Sequence, residues 1–220
     1  MMKEGKYSAD HPVRTQNVLW NPSAGHRVMD DKSVRLPAVP THIYGLEDLR
    51  LYKDAKNTLK FIATSREFSD KIRMVYGNYS LDSATYIDCK VLNSPLGSDC
   101  EKNWIPISGT NDVIYSWNPL RIGTLQGGEI VFHTIHKTPW FFQHLRGSAI
   151  PIRVGGELWC LVHFVEHSAP RKYFHCIVSL DGKTYEPTRI SLPFAFRSIG
   201  IEYCVILKQY SMPILRNANG

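Results

Sequence analysis

The feature that most constrains the fold of this chain is a succession of short extended segments, each bounded by turn residues, with almost no helical periodicity. Apolar and polar residues alternate with a period of two in stretches such as 60–65 and 129–136. Turn pairs such as Gly127-Gly128 and Gly155-Gly156 separate these stretches at close to hairpin spacing. No helical pattern lies between them to connect parallel strands. The chain is therefore predicted to be all-β.

The same pattern predicts the position of each strand. Strands are predicted at residues 13–20, 60–65, 72–76, 85–91, 113–117, 129–136, 149–154, 157–165, 173–180 and 201–208. A sandwich, a barrel and a propeller are all compatible with such a series of antiparallel strands.

Two similar segments favour the propeller. Residues 113–119 and 158–164 each contain a strongly apolar strand, and each follows an apolar segment with a central proline, at 104–107 and 149–152. The two units are about 45 residues apart, which is the usual length of a four-stranded blade. Five such blades would use the whole chain, but the pattern supports only about 14 to 16 strands of the roughly 20 required. We therefore predict a five-bladed propeller in which one blade is incomplete or the ring is open at the N-terminus.

The composition is that of a single globular domain. The chain has 220 residues, of which 43% are hydrophobic and 11% aromatic, enough for a sizeable core. We expect a flexible N-terminal segment over residues 1–12 and one propeller domain over residues 13–220. The first residues lack the apolar core of a signal peptide, and no stretch approaches the roughly 20 apolar residues that span a bilayer. The five scattered cysteines favour reduced thiols over a disulfide framework, so a cytoplasmic location is expected.

The charge balance permits binding of anions without selecting one. The net charge is +6 and the isoelectric point is about 9.0. The 26 lysines and arginines are spread along the chain without a run of five, which argues against a nucleic-acid-binding arm. Single basic residues inside a pocket are a better source of anion binding.

Cys160, His163 and His167 form a grouping that resembles a zinc site. On a strand over residues 157–165, Cys160 and His163 point to opposite faces, so they cannot share an ion. We expect no metal and no cofactor. Leu158, Cys160, Val162 and Phe164 would form one packed face, and His163 on the other face is either a satisfied core residue or a ligand-binding group.

Two short polar segments are candidates for a ligand site. In the segment Glu47-Asp48-Leu49-Arg50, the Asp48 carboxylate and the Arg50 guanidinium stand at i and i+2, on one side of an extended backbone just before the predicted strand at 60–65. Such a pair can hold a polyhydroxylated ligand, although a solvated turn has the same composition. Lys102-Asn103-Trp104 is either a charged turn with a packed tryptophan or part of a cavity that binds phosphate or sugar oxygens.

A further basic segment offers the same choice. Arg146 and Ser148 flank Gly147, which would allow the backbone to approach a ligand closely while the guanidinium binds phosphate or carboxylate. The chain contains no P-loop, dinucleotide-binding glycine pattern, Gly-x-Ser-x-Gly elbow or EF-hand loop, so those classes have no support.

Taken in order, several motifs resemble a known family. They are Gly45-Leu46-Glu47-Asp48-Leu49-Arg50, Thr64-Ser65-Arg66, Glu101-Lys102-Asn103, Gly147-Ser148 with Pro151, and Val162-His163 with Tyr173. This series resembles the β-mannoside phosphorylase family of glycoside hydrolases. Longer stretches are similar to a branch of that family that accompanies glycosyltransferases and occurs in large DNA viruses: Tyr44-Gly45-Leu46-Glu47-Asp48, Glu101-Lys102-Asn103-Trp104-Ile105-Pro106, Leu145-Arg146-Gly147-Ser148, Val162-His163-Phe164-Val165-Glu166, Pro170-Arg171-Lys172-Tyr173 and Ile201-Glu202-Tyr203-Cys204.

The resemblance implies a five-bladed propeller with its active site in a central funnel. Members of that family are inverting phosphorylases, hydrolases and mannosyltransferases. By this resemblance Asp48 is the general acid, acting through a substrate hydroxyl, and Arg66, Lys102 and His163 bind phosphate, with Arg73 as an addition. The hydrolases of the family carry glutamates in place of basic phosphate ligands, so the basic residues here favour phosphate or a phosphosugar over hydrolysis.

The sequence thus predicts an inverting glycoside phosphorylase or glycosyltransferase that acts on β-mannoside-like sugars, with inorganic phosphate or a sugar phosphate as substrate. Substrate contacts are predicted for Arg50, Asn103, Trp104, Arg146, Ser148 and Tyr173. An incomplete ring would leave a sheet edge unpaired, so a homodimer is expected. Leu49 replaces the family's proline, which favours the alternative of a lectin-like or scaffold propeller without turnover. A nucleic-acid-binding protein is the third alternative.

Overall fold

The computed structural model describes residues 2–3, 6–7, 12–21, 23, 25–168 and 171–195. Within these residues the chain forms nineteen β-strands and two short 3-10 helices, without an α-helix. The all-β prediction is confirmed. The strand predicted at 201–208, together with Cys204 and Pro170, lies outside the described residues.

The strands are short and follow one another closely. Their bounds are β1 Met2–Lys3, β2 Lys6–Tyr7, β3 Val13–Arg14, β4 Val18–Asn21, β5 Gly25–Val28, β6 Ile43–Tyr44, β7 Glu47–Lys53, β8 Leu59–Ser65, β9 Arg73–Ser80, β10 Thr85–Val91, β11 Ile105–Pro106, β12 Asp112–Trp117, β13 Leu120–Gln126, β14 Glu129–His136, β15 Arg146–Gly147, β16 Ile152–Val154, β17 Glu157–Glu166, β18 Lys172–Asp181 and β19 Pro187–Ile190. The 3-10 helices are η1 Asp31–Ser33 and η2 Trp140–His144.

Three sheets contain most of the described strands, and each is built from consecutive antiparallel strands. The first sheet has four strands in the order β10-β9-β8-β7, and the second has four in the order β11-β12-β13-β14. The third sheet has five strands, because β15 and β16 lie one after the other along the same side of β17, followed by β18 and β19. The predicted antiparallel pairing is therefore present in each of the three sheets.

The strand predicted at 13–20 is wrong in its extent, because the structure divides it into β3 and β4. β3 pairs in parallel with β6, whereas β4 pairs antiparallel with β5. Between them, the Asn17 side chain donates to the Leu46 carbonyl at 2.8 Å, and the Asn17 carbonyl accepts from the Met29 amide at 3.0 Å. The chain therefore changes partners at this point and cannot continue as one strand.

Several strands escaped the sequence analysis, and β7 and β13 show why. Four of the seven residues of β7 are charged, yet Arg50 in its middle is only 2% exposed, so the usual alternation of apolar and polar residues is absent. In β13 the pattern is interrupted by Gly123, where a Cβ atom would collide with the Ile130 side chain and the Val131 carbonyl of β14. Glycine allows β13 and β14 to approach closely at this point, but it also interrupts the apolar pattern by which a strand is recognised in a sequence.

Apolar side chains pack the sheets against one another. One cluster joins the second and third sheets and contains Ile105, Ile107, Ile114, Trp117, Leu120, Ile122, Phe142, Leu145, Leu158, Cys160, Val162, Cys176, Val178 and Leu180. A second joins the first sheet to the second and contains Tyr52, Ile62, Met74, Leu92, Trp104, Val113 and Ile130. The packed face predicted for β17 is confirmed by this arrangement. Burial of each such large apolar side chain stabilises the fold by about 1.5–3 kcal/mol. The clusters therefore hold the three sheets against one another.

Candidate functional site

A buried arginine joins the first sheet to the third. The Arg50 guanidinium, on β7, donates from Nε to the Ser148 carbonyl at 2.8 Å and from Nη1 to the Asp48 carbonyl at 2.7 Å. With 2% exposure it is nearly removed from solvent, where a cation requires several hydrogen bonds to persist. Arg50 therefore holds the start of β7 against the segment that follows β15.

The start of β7 is not a regular extended strand. The pairing of β7 with β8 shifts between Glu47 and Arg50, and Asp48 adopts a positive φ of 52°. A bulge of this kind inserts one residue and redirects the neighbouring side chains. The predicted regular extended backbone at Asp48 and Arg50 is therefore wrong. Their predicted position ahead of the strand at 60–65 is confirmed, because both lie in β7, which precedes β8 and was not itself predicted. The interaction that the geometry does show between them is from the guanidinium to the Asp48 backbone.

His163 lies beside this junction, in the middle of β17. It is 5% exposed, and its Nδ1 is 2.7 Å from the Ser148 hydroxyl. Burial lowers the pKa of His163 to about 4, helped by the neighbouring His175, Arg50, Arg146 and Lys102. The imidazole is thus neutral near pH 7, and any role in anion binding depends on a neutral N–H donor rather than on a positive charge.

The Glu47 carboxylate, next to that of Asp48, lies within the electrostatic range of Lys102, one of the cations that act on His163. The pKa of the Glu47 carboxyl is raised by burial and by the adjacent Asp48, while Arg66 and Lys102 act in the opposite direction. Lys102 therefore influences both Glu47, on the first sheet, and His163, on the third. This shared influence brings the predicted acid and three of the predicted phosphate ligands into one electrostatic neighbourhood. We call Glu47, Asp48, Arg50, Arg66, Lys102, Arg146, Ser148 and His163 the central polar cluster.

Two cations of this cluster differ from Arg50 in their surroundings. Arg66, immediately after β8, and Lys102, in the segment before β11, are both exposed. Within the part of the chain that the structure describes, neither side chain makes a hydrogen bond or an ion pair. Their charges are thus uncompensated by direct contacts and are available to an incoming anion.

The Lys102 segment is held by a buried carboxylate that the sequence analysis did not single out. Glu101 is 3% exposed and accepts hydrogen bonds from Ser94 Oγ at 2.5 Å, Tyr115 OH at 3.1 Å and Trp104 Nε1 at 3.1 Å. The next residue but one, Asn103, has a positive φ of 62°. Three donors on one carboxylate fix the position of this turn, and Lys102 with it.

The tryptophan of this segment is a core residue. The Trp104 ring is 1% exposed and packs edge-on against Tyr115, with 5.1 Å between ring centroids. A ring buried in this way has no free face for a sugar. The predicted substrate contact of Trp104 is therefore corrected, and the alternative of a packed tryptophan in a charged turn describes it.

A cavity of about 370 Å³ opens beside the Lys102 segment. The side chains around it combine cations, amides and aromatic rings, among them Lys102, Asn103, Tyr115, Phe142, Gln143 and Arg146. Gly147 is also in its wall, where a Cβ atom would collide with the Asn103 carbonyl and with Ile105. The glycine at this position thus permits the close contact between the second and third sheets on which the cavity depends.

Arg73 and Tyr173 complete the set of predicted site residues. The Arg73 guanidinium donates to the carbonyls of Ile72 at 3.0 Å and Ser98 at 2.9 Å, and it is not among the charges that shift the pKa of Glu47 or His163. These two interactions secure the loop around Ser98, and Arg73 pairs in the sheet with Ser65, the neighbour of Arg66. The Tyr173 ring lies 5.9 Å from the His163 ring, on the neighbouring strand β18, and so borders the cluster.

His, Cys, Asp and Glu side chains do not form a group of three or more suited to a metal ion within the described residues. Cys160 lies in the apolar cluster between the second and third sheets, and its pKa is raised by burial. Cys89, Cys100, Cys160 and Cys176 are free thiols. In the same residues no helix has the length and apolar character needed to cross a membrane.

No protein-family model matches this chain, and no curated protein matches it. The resemblance to the β-mannoside phosphorylases therefore rests on the sequence motifs themselves.

The sequence analysis did not predict a site role for three residues that lie in or beside the central polar cluster or the Lys102 segment: Glu47, Glu101 and His175. Glu47 and Glu101 stand inside the motifs that were recognised, next to residues that received roles. His175 pairs directly with His163 across β17 and β18, with 6.3 Å between the rings. Aligning the predicted strands at 157–165 and 173–180 as a hairpin would have placed the two histidines opposite each other.

Proposed function

We propose that this protein binds phosphate or a sugar phosphate at the central polar cluster and uses it in glycosyl transfer, as an inverting glycoside phosphorylase or glycosyltransferase acting on β-mannoside-like sugars. The observation that carries the proposal is the position of Lys102, which acts electrostatically on Glu47 and on His163 and lines a cavity with Arg146.

The charges of the cluster favour an anion. Four cations, Arg50, Arg66, Lys102 and Arg146, share the neighbourhood with two carboxylates, and His163 is neutral. An arginine carries five N–H donors, and Arg146 uses Nη1 to bond the Gln143 carbonyl at 2.7 Å, which holds the rest of the guanidinium beside the cavity. Arginine and lysine donors arranged in this way suit the oxygens of a phosphate group.

The chemistry follows from placing phosphate beside a carboxylic acid. A phosphate oxygen attacks the anomeric carbon and forms the new carbon–oxygen bond as the glycosidic bond breaks, which inverts the configuration. The leaving oxygen takes a proton that originates from Asp48 and passes through a substrate hydroxyl. In the transferase direction the same groups act in reverse, with a sugar phosphate as donor and phosphate as the leaving group.

The proposal includes a five-bladed propeller in which the three sheets are successive blades and the cluster faces the central funnel. It also includes a cytoplasmic protein that forms a symmetric dimer to cover an unpaired sheet edge. Light scattering during size-exclusion chromatography tests the dimer. A concentration-independent mass near the 25.1 kDa of the chain would contradict it.

Phosphate turnover provides the test of the activity. The protein is incubated with β-1,4-mannobiose and inorganic phosphate, and in the reverse direction with mannose 1-phosphate and mannose, and phosphate is measured over time. Lys102→Met should weaken phosphate binding about tenfold or more, since it removes one charge-assisted contact. Lys56→Met, in the β7–β8 turn at the other end of β7 from Glu47, is the matched control and should leave phosphate binding unchanged. Equal effects of the two variants would place the anion elsewhere.

A glycan-binding propeller without turnover is the second candidate. Arg50 favours it, because its guanidinium is engaged by the backbone carbonyls of Asp48 and Ser148 and acts as a structural link between sheets. Leu49, in place of the family's proline, points the same way. Saturable binding of phosphate or sugar without release or consumption of phosphate in either direction would select this candidate.

A further inference from the structure

The 3-10 helix η2 presents two large aromatic side chains to solvent. Trp140 is 73% exposed and Phe141 is 39% exposed. Their ring centroids lie 6.2 Å apart, and the Trp140 ring lies 6.3 Å from the His144 ring. Exposed aromatic residues that adjoin one another in this way form a surface rather than an isolated apolar side chain.

This surface continues into the cavity. The Phe141 ring contacts the Phe142 ring at 5.1 Å between centroids, and Phe142 is in the cavity wall with 3% exposure. Gln143 and Arg146, which follow on the same segment, also line the cavity. The exposed rings of Trp140 and Phe141 thus belong to the same short segment as the cavity-lining Gln143 and Arg146, with the buried Phe142 ring packed against Phe141.

The segment that carries the rings is anchored on both sides. Asn118, itself in the cavity wall, donates from Nδ2 to Thr138 Oγ1 at 3.1 Å and to the Pro139 carbonyl at 3.0 Å. The Thr138 hydroxyl donates to the Trp117 carbonyl at 2.7 Å, and the Leu145 amide donates to the Phe142 carbonyl at 3.0 Å. A backbone held in this way loses little conformational freedom when a ligand packs on the segment.

Aromatic faces next to hydrogen-bonding side chains are suited to carbohydrate. One face of a sugar ring carries C–H groups that pack on an aromatic ring, while its hydroxyls need polar partners such as Gln143 and Asn103. A purely apolar partner would leave the ammonium group of Lys102 and the remaining N–H donors of Arg146 in the adjoining wall without partners in the ligand.

We infer that Trp140 and Phe141 form a stacking surface for the outer units of an oligosaccharide whose inner end occupies the cavity. This inference rests on the proposed function and specifies its substrate: the acceptor, or the chain that is phosphorolysed, has at least three sugar units rather than one.

Binding to an array of immobilised mono- to hexasaccharides of β-linked mannose, glucose and N-acetylglucosamine tests the inference. Wild-type protein should retain tri- to hexasaccharides about tenfold better than the corresponding monosaccharides. Trp140→Ala should remove most of that preference and leave the affinity for inorganic phosphate unchanged. Trp20→Ala is the matched control, because Trp20 is 70% exposed on the separate ribbon of β4 and β5, and it should bind as wild type does.

The possible outcomes separate this inference from the function on which it rests. Absence of oligosaccharide retention by the wild type overturns the inference, as do equal effects of Trp140→Ala and Trp20→Ala. Loss of self-association in Trp140→Ala with unchanged retention also overturns it and assigns the rings to a protein contact. Failure of the phosphate assay refutes the proposed transfer reaction, whereas retention that depends on Trp140 would still support the stacking surface. Equal melting temperatures of the three proteins exclude misfolding as the cause.

Discussion

Two polar clusters in this molecule each connect two sheets, and they differ in the charges that they contain. Around Asp112, on β12, Oδ1 accepts from Thr124 Oγ1 at 2.7 Å and lies 3.1 Å from His133 Nε2, and Oδ2 accepts from Tyr185 OH at 2.9 Å. Tyr185 belongs to the turn between β18 and β19, so this contact connects the second and third sheets. Burial, together with the bond to Asp112, raises the pKa of Tyr185 to about 12.

The central polar cluster is not closed in this way. The Asp112 carboxylate is held by direct hydrogen bonds with its neighbours. In the central polar cluster, by contrast, Arg66 and Lys102 act electrostatically on Glu47 but form no hydrogen bond or ion pair with any described residue. A satisfied network stabilises an interface, but unmatched cations beside a cavity leave room for a charged ligand. The two clusters therefore differ in the lysine and arginine side chains that the central cluster alone contains and in the donors that Arg66 and Lys102 leave unused.

The largest effect that separates the clusters should come from Asp48→Asn. The amide has nearly the same shape but cannot supply a proton, so we expect the rate of glycosyl transfer to fall about 10³-fold, within the usual range for a general acid. Phosphate release or consumption with mannobiose is the measurement, and a thermal melt of the variant serves as control. Wild-type turnover by Asp48→Asn would remove Asp48 from the mechanism.

Arg50→Met tests whether the central cluster is also structural. The variant leaves the Asp48 and Ser148 carbonyls without their donor in a buried position, so we expect the free energy of unfolding to drop by about 3 kcal/mol. Urea denaturation followed by tryptophan fluorescence gives the value. A change below about 0.5 kcal/mol, the size typical of a surface substitution, would show that Arg50 does not hold the sheets together.

The pH dependence of stability should carry the signature of His163. Its pKa is about 4 in the folded protein, against 6.5 in the unfolded chain, so between these values the unfolded state binds the extra proton. Stability therefore falls as pH drops from about 6.5 to about 4, by about 3 kcal/mol. The lowered pKa of His175 acts in the same direction, while the raised pKa of Glu47 acts against it.

His163→Asn isolates this contribution, because asparagine keeps a polar partner for the Ser148 hydroxyl and does not titrate. Unfolding curves at pH 7 and pH 4.5 should differ less in the variant than in the wild type. If the two proteins lose the same stability over this interval, the titration of His163 does not determine the acid sensitivity.

The smallest effect is expected from Asp112→Asn. The amide keeps one acceptor and loses the negative charge, so the bonds from Thr124, His133 and Tyr185 are weakened and about 1 kcal/mol of stability is lost. Phosphate binding should be unchanged, since this network is already complete without a ligand. A loss of phosphate affinity comparable to that of Lys102→Met would mean that the two clusters act as one.

The strands that the sequence predicts correctly differ physically from the strands that it misses. The stretches 60–65 and 157–165 are mostly apolar runs between turn residues, and both are strands in which consecutive residues are buried on both faces. β7 could not be predicted from such a pattern, because its bulge and the buried Arg50 break the alternation. Burial of a charged residue depends on partners far away in the chain, here Ser148, and no local pattern contains that information.

The candidate site shows the same limit. Trp104 and Trp140 each stand between polar residues and a short apolar stretch in the sequence, yet one is 1% exposed and the other 73%. Only the packing of sheets distinguishes a core ring from a surface ring. The neighbourhood of Lys102 and His163 followed from the family resemblance, whereas the shared influence of Lys102 on Glu47 required the three-dimensional arrangement.

The construction of each sheet from consecutive strands has a consequence for how the protein is made. Every strand pairing within a sheet is local, so each sheet can form soon after its own stretch of chain leaves the ribosome. The bond from Arg50 to Ser148 spans 98 residues and has to wait for the third sheet. During synthesis Arg50, Arg66 and Lys102 are thus in place before Arg146, Ser148 and His163, and the central polar cluster is among the last parts of the described molecule to form.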